Sequence, residues 1–244
     1  MPEERARERR AAGGYGTIPP AGDPWLRPGL AVVLDMDGVI VDSNPVHREA
    51  WRVYNRRFGI ETTEAMQQRM YGRRNDEIVR DFFGLRLSGD QVAAHGAAKE
   101  RLYRELMRDA VARSLVPGVR EFLERHAGLP AAVASNAEPA NVEFVLGRAG
   151  LRPFFQAVVD GHQVERPKPA PDIYLRAAQL LRIAPADCIV FEDSFSGVEA
   201  ARAAGARVVG IRTTHHNLPG AELCVDNFLS PELESWLRWQ KPQV

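Results

Sequence analysis

The chain has 244 residues, 45% of them hydrophobic, and its 32 Lys and Arg balance its 32 Asp and Glu. That length supports one sizeable core, or a core with a smaller satellite domain. A net charge of zero does not favour nucleic acid as a partner, because nucleic-acid binders usually carry a basic surplus. No apolar run approaches the roughly 20 residues that cross a bilayer, so no membrane partner is expected.

Residues 1–28 begin highly charged and become rich in Gly and Pro, without a signal-peptide apolar stretch. We predict a flexible N-terminal tail, and we prefer a solvated segment to a nucleic-acid arm for its arginine cluster. Only two cysteines, Cys188 and Cys224, are present, and their spacing matches no metal site. They fit a reducing compartment, so we predict a cytoplasmic protein.

Six short runs rich in β-branched residues recur along the chain and predict strands. Segments of helical period separate most of them; one, "SGVEAARAAG", has a capping-box pattern from Ser196 to Glu199. Alternating strands and helices predict an α/β fold with a Rossmann-like parallel sheet covered on both faces. The predicted strands are Leu30–Leu34, Ala131–Ser135, Ala157–Asp160, Cys188–Phe191, Arg207–Ile211 and Leu223–Val225.

Residues 45–113 interrupt this alternation, because they contain helical stretches and no convincing strand. We predict that they form an inserted helical cap domain. The catalytic core would then consist of residues 29–44 and 114–244.

Polar residues follow the ends of the first four predicted strands. Asp35 and Asp37 follow the first strand, where a buried run ends abruptly in two carboxylates. In open parallel sheets ligands bind beyond the carboxyl ends of the strands, so these groups should converge. Converging carboxylates need a cation, and Mg²⁺ together with a substrate phosphate fits oxygen ligands, a serine and a lysine. The groups are Asp35, Asp37, Ser135, Asn136, Lys168, Glu192 and Asp193.

Each of these motifs also has a purely structural explanation. "SN" after a strand is commonly a turn, "RPKPAPD" is a stiff loop, and "EDS" before a helix is a typical N-terminal cap. Four such coincidences in order, each at a strand end, favour a site for phosphoryl transfer, where positioning and charge neutralisation supply most of the catalysis.

The motifs "DMDGV", "SN", "PKPAPD" and "FEDSFSG" together resemble those of the haloacid dehalogenase-like superfamily, from residue 29 to the end. The resemblance implies that Asp35 is a nucleophile forming an aspartyl-phosphate and that Asp37 is the general acid and base. It implies that Ser135 and Lys168 hold the phosphoryl group. It also argues against dehalogenation, which needs no acid at position 37. The implied Mg²⁺ ligands are Asp35, Asp37 through its backbone carbonyl, Glu192 and Asp193.

Within the superfamily the chain is similar to the β-phosphoglucomutases and their phosphatase relatives. Ser43, His47 and Trp51 resemble a signature of the mutase hinge helix, although His47 and Trp51 also fit packing on one helix face. Lys99 corresponds to a cap lysine, and "YGRRNDEI" resembles the substrate loop of the cap. The predicted substrate-binding residues are Gly38, Ser43, His47, Trp51, Arg73, Arg74, Asn75, Lys99 and Asn136.

The departures from the mutase pattern concern the residues that would bind a second phosphate. Asn75 stands where the mutase loop has an arginine, and Ala137 and Glu138 replace a Ser-Lys pair. These changes favour a Mg²⁺-dependent phosphatase acting on a small phosphate monoester, such as a sugar phosphate. A β-phosphoglucomutase-type activity is the alternative, and a non-catalytic phosphate-binding relative is less favoured. The sequence does not indicate the exact substrate or the oligomeric state.

Overall fold

The computed structural model of the chain describes residues 29–71 and 73–240. The predicted tail, residues 1–28, lies outside the described residues. The described residues contain six strands in one fully parallel sheet, in the order β3-β2-β1-β4-β5-β6. Every predicted strand is confirmed, with bounds that differ by at most one residue at either end. The strands are β1 (Ala31–Leu34), β2 (Ala131–Ala134), β3 (Ala157–Val159), β4 (Cys188–Glu192), β5 (Arg207–Ile211) and β6 (Leu223–Val225).

The central strands are buried on both faces, as their continuous apolar runs predict. In β1, Val32 and Leu34 belong to one hydrophobic cluster, and Ala31 and Val33 belong to a second. This alternation follows from the two-residue period of a strand. The sheet is therefore the middle layer of three.

Helices separate most of the strands and also occur within residues 45–113, as the sequence predicts. Glu64–Met70 forms a short helix that we did not predict, and the Thr63 hydroxyl caps it by accepting from the backbone N–H of Met66 at 3.2 Å. The helices are α1 (Asn44–Arg56), α2 (Glu64–Met70), α3 (Asn75–Phe83), α4 (Gly89–Met107), α5 (Val119–Arg125), α6 (Pro139–Ala149), α7 (Asp172–Leu181), α8 (Phe195–Ala203) and α9 (Pro231–Arg238).

The predicted cap of α8 was wrong in position. Ser194, not Ser196, is the N-cap residue, and its hydroxyl accepts from the backbone N–H of Gly197 at 3.1 Å. The helix begins directly after the β4 carboxylates, so the pattern read from Ser196 to Glu199 lies inside its first turn.

Helices α1 to α4 lie between β1 and β2 in the chain, within residues 45–113 apart from Asn44, and we use the name cap for these four helices. Residues of these helices, such as Trp51 and Tyr103, share one continuous hydrophobic cluster with the β1 face of Val32 and Leu34. The cap is thus packed against the core through apolar side chains. No helix among the described residues is long and apolar enough to cross a membrane.

The two chain segments that connect core and cap lie side by side. Val41 and Leu115 pair in an antiparallel bridge. The backbone N–H of Asp42 donates to the carbonyl of Ser114 at 2.8 Å, and that of Val116 donates to Ile40 at 3.0 Å. The connection is a short two-stranded ribbon.

The strand order places a crevice beside β1. The chain runs from β1 outward to β2 and β3, and then crosses to β4 on the other side of β1. The carboxyl ends of strands at such a reversal are the usual ligand sites of open α/β sheets.

Candidate active site

Asp35 and Lys168 form a buried ion pair at this crevice. The Lys168 Nζ lies 2.7 Å from Asp35 Oδ1 and 2.6 Å from Glu192 Oε1, and it donates to the carbonyl of Ala134 at 3.0 Å. Burial lowers the pKa of this lysine, but the two carboxylates outweigh burial and raise it. Lys168 is therefore a permanent positive charge between strands β1 and β4.

Glu192 has both carboxylate oxygens engaged within the protein. Tyr174 donates its hydroxyl to Oε1 at 2.6 Å, while Oε2 accepts from the backbone N–H groups of Asp193 and Ser194 at 3.0 and 3.1 Å. Burial raises the pKa of Glu192, but Lys168 and these donors bring it below its usual range. A side chain at Gly197 would collide with this carboxylate, which explains the glycine there. These contacts orient Glu192 toward Lys168.

The acidic side chains form a cluster that fits a cation. Oxygens of Asp35, Glu192 and Asp193 lie within 4.8 Å of one another, and all three residues are buried. Burial, with added repulsion from Glu192, raises the pKa of Asp35 to about 7 despite the opposing charge of Lys168. Burial, Glu192 and Asp35 also raise the pKa of Asp193 well above its usual range. The cluster needs more positive charge than one lysine supplies, and its hard oxygen donors suit Mg²⁺.

Asp37 has different surroundings from Asp35. Ser43 donates to its Oδ1 at 2.5 Å, and the Nε2 of His47 lies 3.5 Å from the same oxygen. Burial raises the pKa of Asp37, but His47 and Ser43 outweigh burial and lower it. Ser43 and His47, two of the three residues of the predicted hinge signature, therefore contact Asp37, the predicted acid and base.

The end of β5 supplies two threonines that sequence reasoning missed. Thr214 donates its hydroxyl to Asp193 Oδ2, and Thr213 donates to the carbonyl of Gly38 at 2.5 Å. Gly38 has φ +82°, and a side chain there would collide with the Asp193 carboxylate. Position at a strand end was the available signal, because β5 is parallel to β4 and ends at the same edge of the sheet.

Ser135 and Asn136 follow β2 as predicted and line the same cavity as Asp35 and Lys168. The Ser135 hydroxyl accepts from the backbone N–H of Ala137 at 3.2 Å, and the Asn136 side-chain oxygen accepts from the N–H of Lys168 at 3.3 Å. These contacts tie the β2 end to the loop that carries the lysine.

The cap supplies His47, Trp51 and Lys99 to the site. His47 stacks on Tyr103, with ring centroids 3.9 Å apart. The Nζ of Lys99 lies 2.8 Å from His47 Nδ1 and 5.0 Å from the centroid of the Trp51 ring. The three predicted residues therefore form one contact group.

The three residues of the predicted substrate loop take different positions. Arg73 and Asn75 line the cavity. Arg74 instead donates to the carbonyls of Gly161 and Val164 in the core, so the structure does not bring its guanidinium into the cavity. Asn75 donates to Glu100 at 2.7 Å.

The cavity between cap and core has a volume of about 90 Å³. Most of the predicted site residues line it, and Gly38, Ser43 and Glu192 support those that do. The predicted residues along its wall are Asp35, Asp37, His47, Trp51, Arg73, Asn75, Lys99, Ser135, Asn136, Lys168 and Asp193.

Comparison with known proteins agrees with this geometry. Residues 30–205 match the family described as haloacid dehalogenase-like hydrolases. A fructose-1-phosphate phosphatase of Escherichia coli is 34% identical over 183 residues, 74% of this chain and 95% of that protein. A β-phosphoglucomutase of Bacillus subtilis is 30% identical over 204 residues, 80% of this chain and 88% of that protein.

A solved structure shows the same fold. The β-phosphoglucomutase of Clostridium difficile has a TM-score of 0.77 and 25% identity, covering 85% of this chain and 96% of that one. The family match spans more than half of the chain and includes β1 to β4 with the carboxylates that follow β1 and end β4. This chain therefore belongs to the haloacid dehalogenase-like hydrolases.

Proposed function

We propose that the protein is a Mg²⁺-dependent phosphatase that hydrolyses a small sugar-phosphate monoester through an aspartyl-phosphate on Asp35. The proposed Mg²⁺ ligands are Asp35, Asp193 and the backbone carbonyl of Asp37, and Glu192 lies beside them. Bound Mg²⁺ would neutralise the carboxylates and the phosphoryl oxygens. The two free cysteines, Cys188 and Cys224, support a reducing cytoplasmic setting.

The reaction has two halves. In the first, Asp35 attacks phosphorus and the bond to the ester oxygen breaks. Asp37, which must enter this step protonated, donates its proton to the departing alkoxide. In the second, Asp37 takes a proton from water as the water oxygen attacks phosphorus, the bond between Asp35 and phosphorus breaks, and inorganic phosphate is released. Ser135 and Lys168 hold the phosphoryl oxygens throughout.

One observation favours hydrolysis over mutase activity: every Lys or Arg that lines the cavity among the described residues already has a carboxylate partner. Lys168 pairs with Asp35 and Glu192, Lys99 with Glu100 at 2.8 Å, and Arg73 with Glu77 at 3.2 Å. A bisphosphate intermediate carries a second dianion, which would compete with these carboxylates for the same cations.

Glu138 adds to this argument. Its carboxylate lines the cavity and pairs with Arg104 of the cap. The repulsion between this glutamate and a second phosphate would therefore be partly neutralised, but the arginine is also occupied. A second phosphate at this wall would meet an existing ion pair.

A mutase remains the alternative because His47 and Lys99, which both match the β-phosphoglucomutase pattern, contact each other. One assay separates the two activities. The protein is given Mg²⁺, β-glucose 1-phosphate and a trace of β-glucose 1,6-bisphosphate, with Asp35→Asn as the inactive control. We expect free phosphate; glucose 6-phosphate without free phosphate would contradict the proposal.

A further inference from the structure

A buried glutamate that none of the four motifs includes connects the core to the predicted acid and base. Glu100 lies on α4 of the cap and is 3% exposed. Its Oε1 accepts from Lys99 Nζ at 2.8 Å and from Asn75 at 2.7 Å. Its Oε2 accepts from Asn141, a core residue of α6, at 2.6 Å.

Lys99, which is paired with Glu100, determines which nitrogen of His47 is the acceptor. An ammonium group has only donors, so the Nδ1 of His47 must accept from Lys99, and the ring proton is then on Nε2. That nitrogen faces Asp37 Oδ1 at 3.5 Å. A contiguous series of polar contacts therefore runs from Glu100 through Lys99 and His47 to Asp37.

The charge on Glu100 is essential to this series. Burial raises its pKa, but Lys99 and His47 outweigh burial and lower the pKa to about 2. Lys99 is 2% exposed, so without a counter-charge its ammonium would be buried and unpaired. The aromatic rings of Trp51 and Tyr103 beside it offer only a weaker attraction.

The contact with Asn141 makes the series depend on the position of the cap. Asn141 is 1% exposed, and its side-chain oxygen accepts from Arg104 at 2.6 Å while its amide nitrogen donates to Glu100. Both of its partners are on cap helix α4, and Asn141 itself is on the core. Opening of the cap would break both bonds.

We propose that Glu100 is a positioning residue that aligns Asp37 for proton transfer through Lys99 and His47, and that Asn141 restricts this alignment to the closed cap. The inference rests on the proposed function, since it assigns Asp37 the proton transfer of an ester hydrolysis. It predicts that proton donation to the leaving group is impaired when either residue is changed.

The test compares two phosphate esters of similar shape that differ in their need for an acid. The nitrophenolate ion leaves readily without a proton, whereas phenolate depends more on one. With Mg²⁺, kcat/KM is measured for p-nitrophenyl phosphate and phenyl phosphate, because this ratio reports the first half-reaction. The variants are Glu100→Gln and Asn141→Leu, with Asp37→Asn as the reference for loss of the acid.

General acid catalysis typically contributes about 10²–10⁴-fold to the rate. For Glu100→Gln we therefore expect a partial loss, roughly a tenfold decrease of kcat/KM on phenyl phosphate. The loss on p-nitrophenyl phosphate should be several times smaller. The exposed Glu105 of the same helix offers a matched control, and Glu105→Gln should change neither value.

Equal losses on both esters in a folded variant, or loss of folding in both variants, would show a structural role alone and overturn the inference. A second result is that the wild type hydrolyses both esters while Glu100→Gln and Asn141→Leu leave the ratio of the two kcat/KM values unchanged. That result would overturn the inference and leave the proposed function intact. No Mg²⁺-dependent turnover of either ester by the wild type would overturn the proposed function, and this inference with it.

Discussion

Asp35 and Asp37 are two residues apart, yet the pKa values of their carboxyl groups are shifted in opposite directions. Burial and neighbouring carboxylates raise the pKa of Asp35 to about 7, whereas hydrogen bonds from His47 and Ser43 lower that of Asp37 against the effect of burial. Paired carboxylates whose surroundings differ in this way commonly have different catalytic roles. Asp35 belongs to the cluster that requires a cation, and Asp37 belongs to the hydrogen-bonded series of the cap.

Thr214 leads to a prediction about the metal requirement. Its hydroxyl donates to Asp193, a proposed Mg²⁺ ligand, and residues that orient metal ligands commonly contribute about 10- to 100-fold in affinity or activity. We expect Thr214→Val to raise the Mg²⁺ concentration for half-maximal phosphatase activity about tenfold. An unchanged Mg²⁺ requirement would show that this hydroxyl does not orient Asp193. The control is Thr63→Val, which changes an exposed threonine of the cap.

Helices α4 and α6 hold the cap and the core together by polar contacts as well as apolar ones. Arg104 of α4 pairs with Glu138 at the start of α6, and their side chains are 24% and 20% exposed. Partial burial makes this pair stronger than a typical surface ion pair, because water screens it less.

A double-mutant cycle measures this contact between elements. We expect Arg104→Met and Glu138→Gln to couple by about 0.5–2 kcal/mol in the free energy of unfolding, measured by urea titration. Arg104→Met also removes the bond from Arg104 to Asn141. That loss is common to the single and the double variant with Met at position 104, so it cancels in the coupling energy. Strictly additive effects would contradict an energetically significant pair.

At the scale of the whole molecule, the buried Glu100 makes the free energy of unfolding depend on pH in the acidic range. Its pKa is 4.5 when unperturbed and about 2 in the folded chain, so the unfolded chain takes up a proton first as the pH falls. The stabilisation is complete above about pH 4.5 and is lost as the pH approaches 2. At about 1.4 kcal/mol per pH unit the shift corresponds to roughly 3 kcal/mol.

Unfolding free energies of wild type and Glu100→Gln, measured between pH 7 and pH 2.5, check this expectation. The advantage of the wild type should be constant above pH 5 and should shrink below it. A difference that stays constant down to pH 2.5 would contradict the lowered pKa of Glu100.

The sequence predicted the sheet well and the interface poorly, for physical reasons. Buried β-branched runs have few alternatives to a parallel strand, so even the strand bounds agreed within a residue. The contact of Asn141 with Glu100 joins residues 41 positions apart on different layers, and no spacing along the chain indicates it. Arg74 illustrates the same limit, because a loop arginine has the reach for either the cavity or the carbonyls that it actually binds.

The ribbon of Val41 and Leu115 has a consequence for how substrate enters. A cavity of about 90 Å³ is far smaller than the several hundred Å³ of most small-molecule pockets, so a sugar phosphate requires the cap to open. Because both connections run together, we expect helices α1 to α4 to swing about a single axis rather than slide. Ser43 lies just beyond that axis, so each swing would carry its hydroxyl away from Asp37 and return it as the lid shuts.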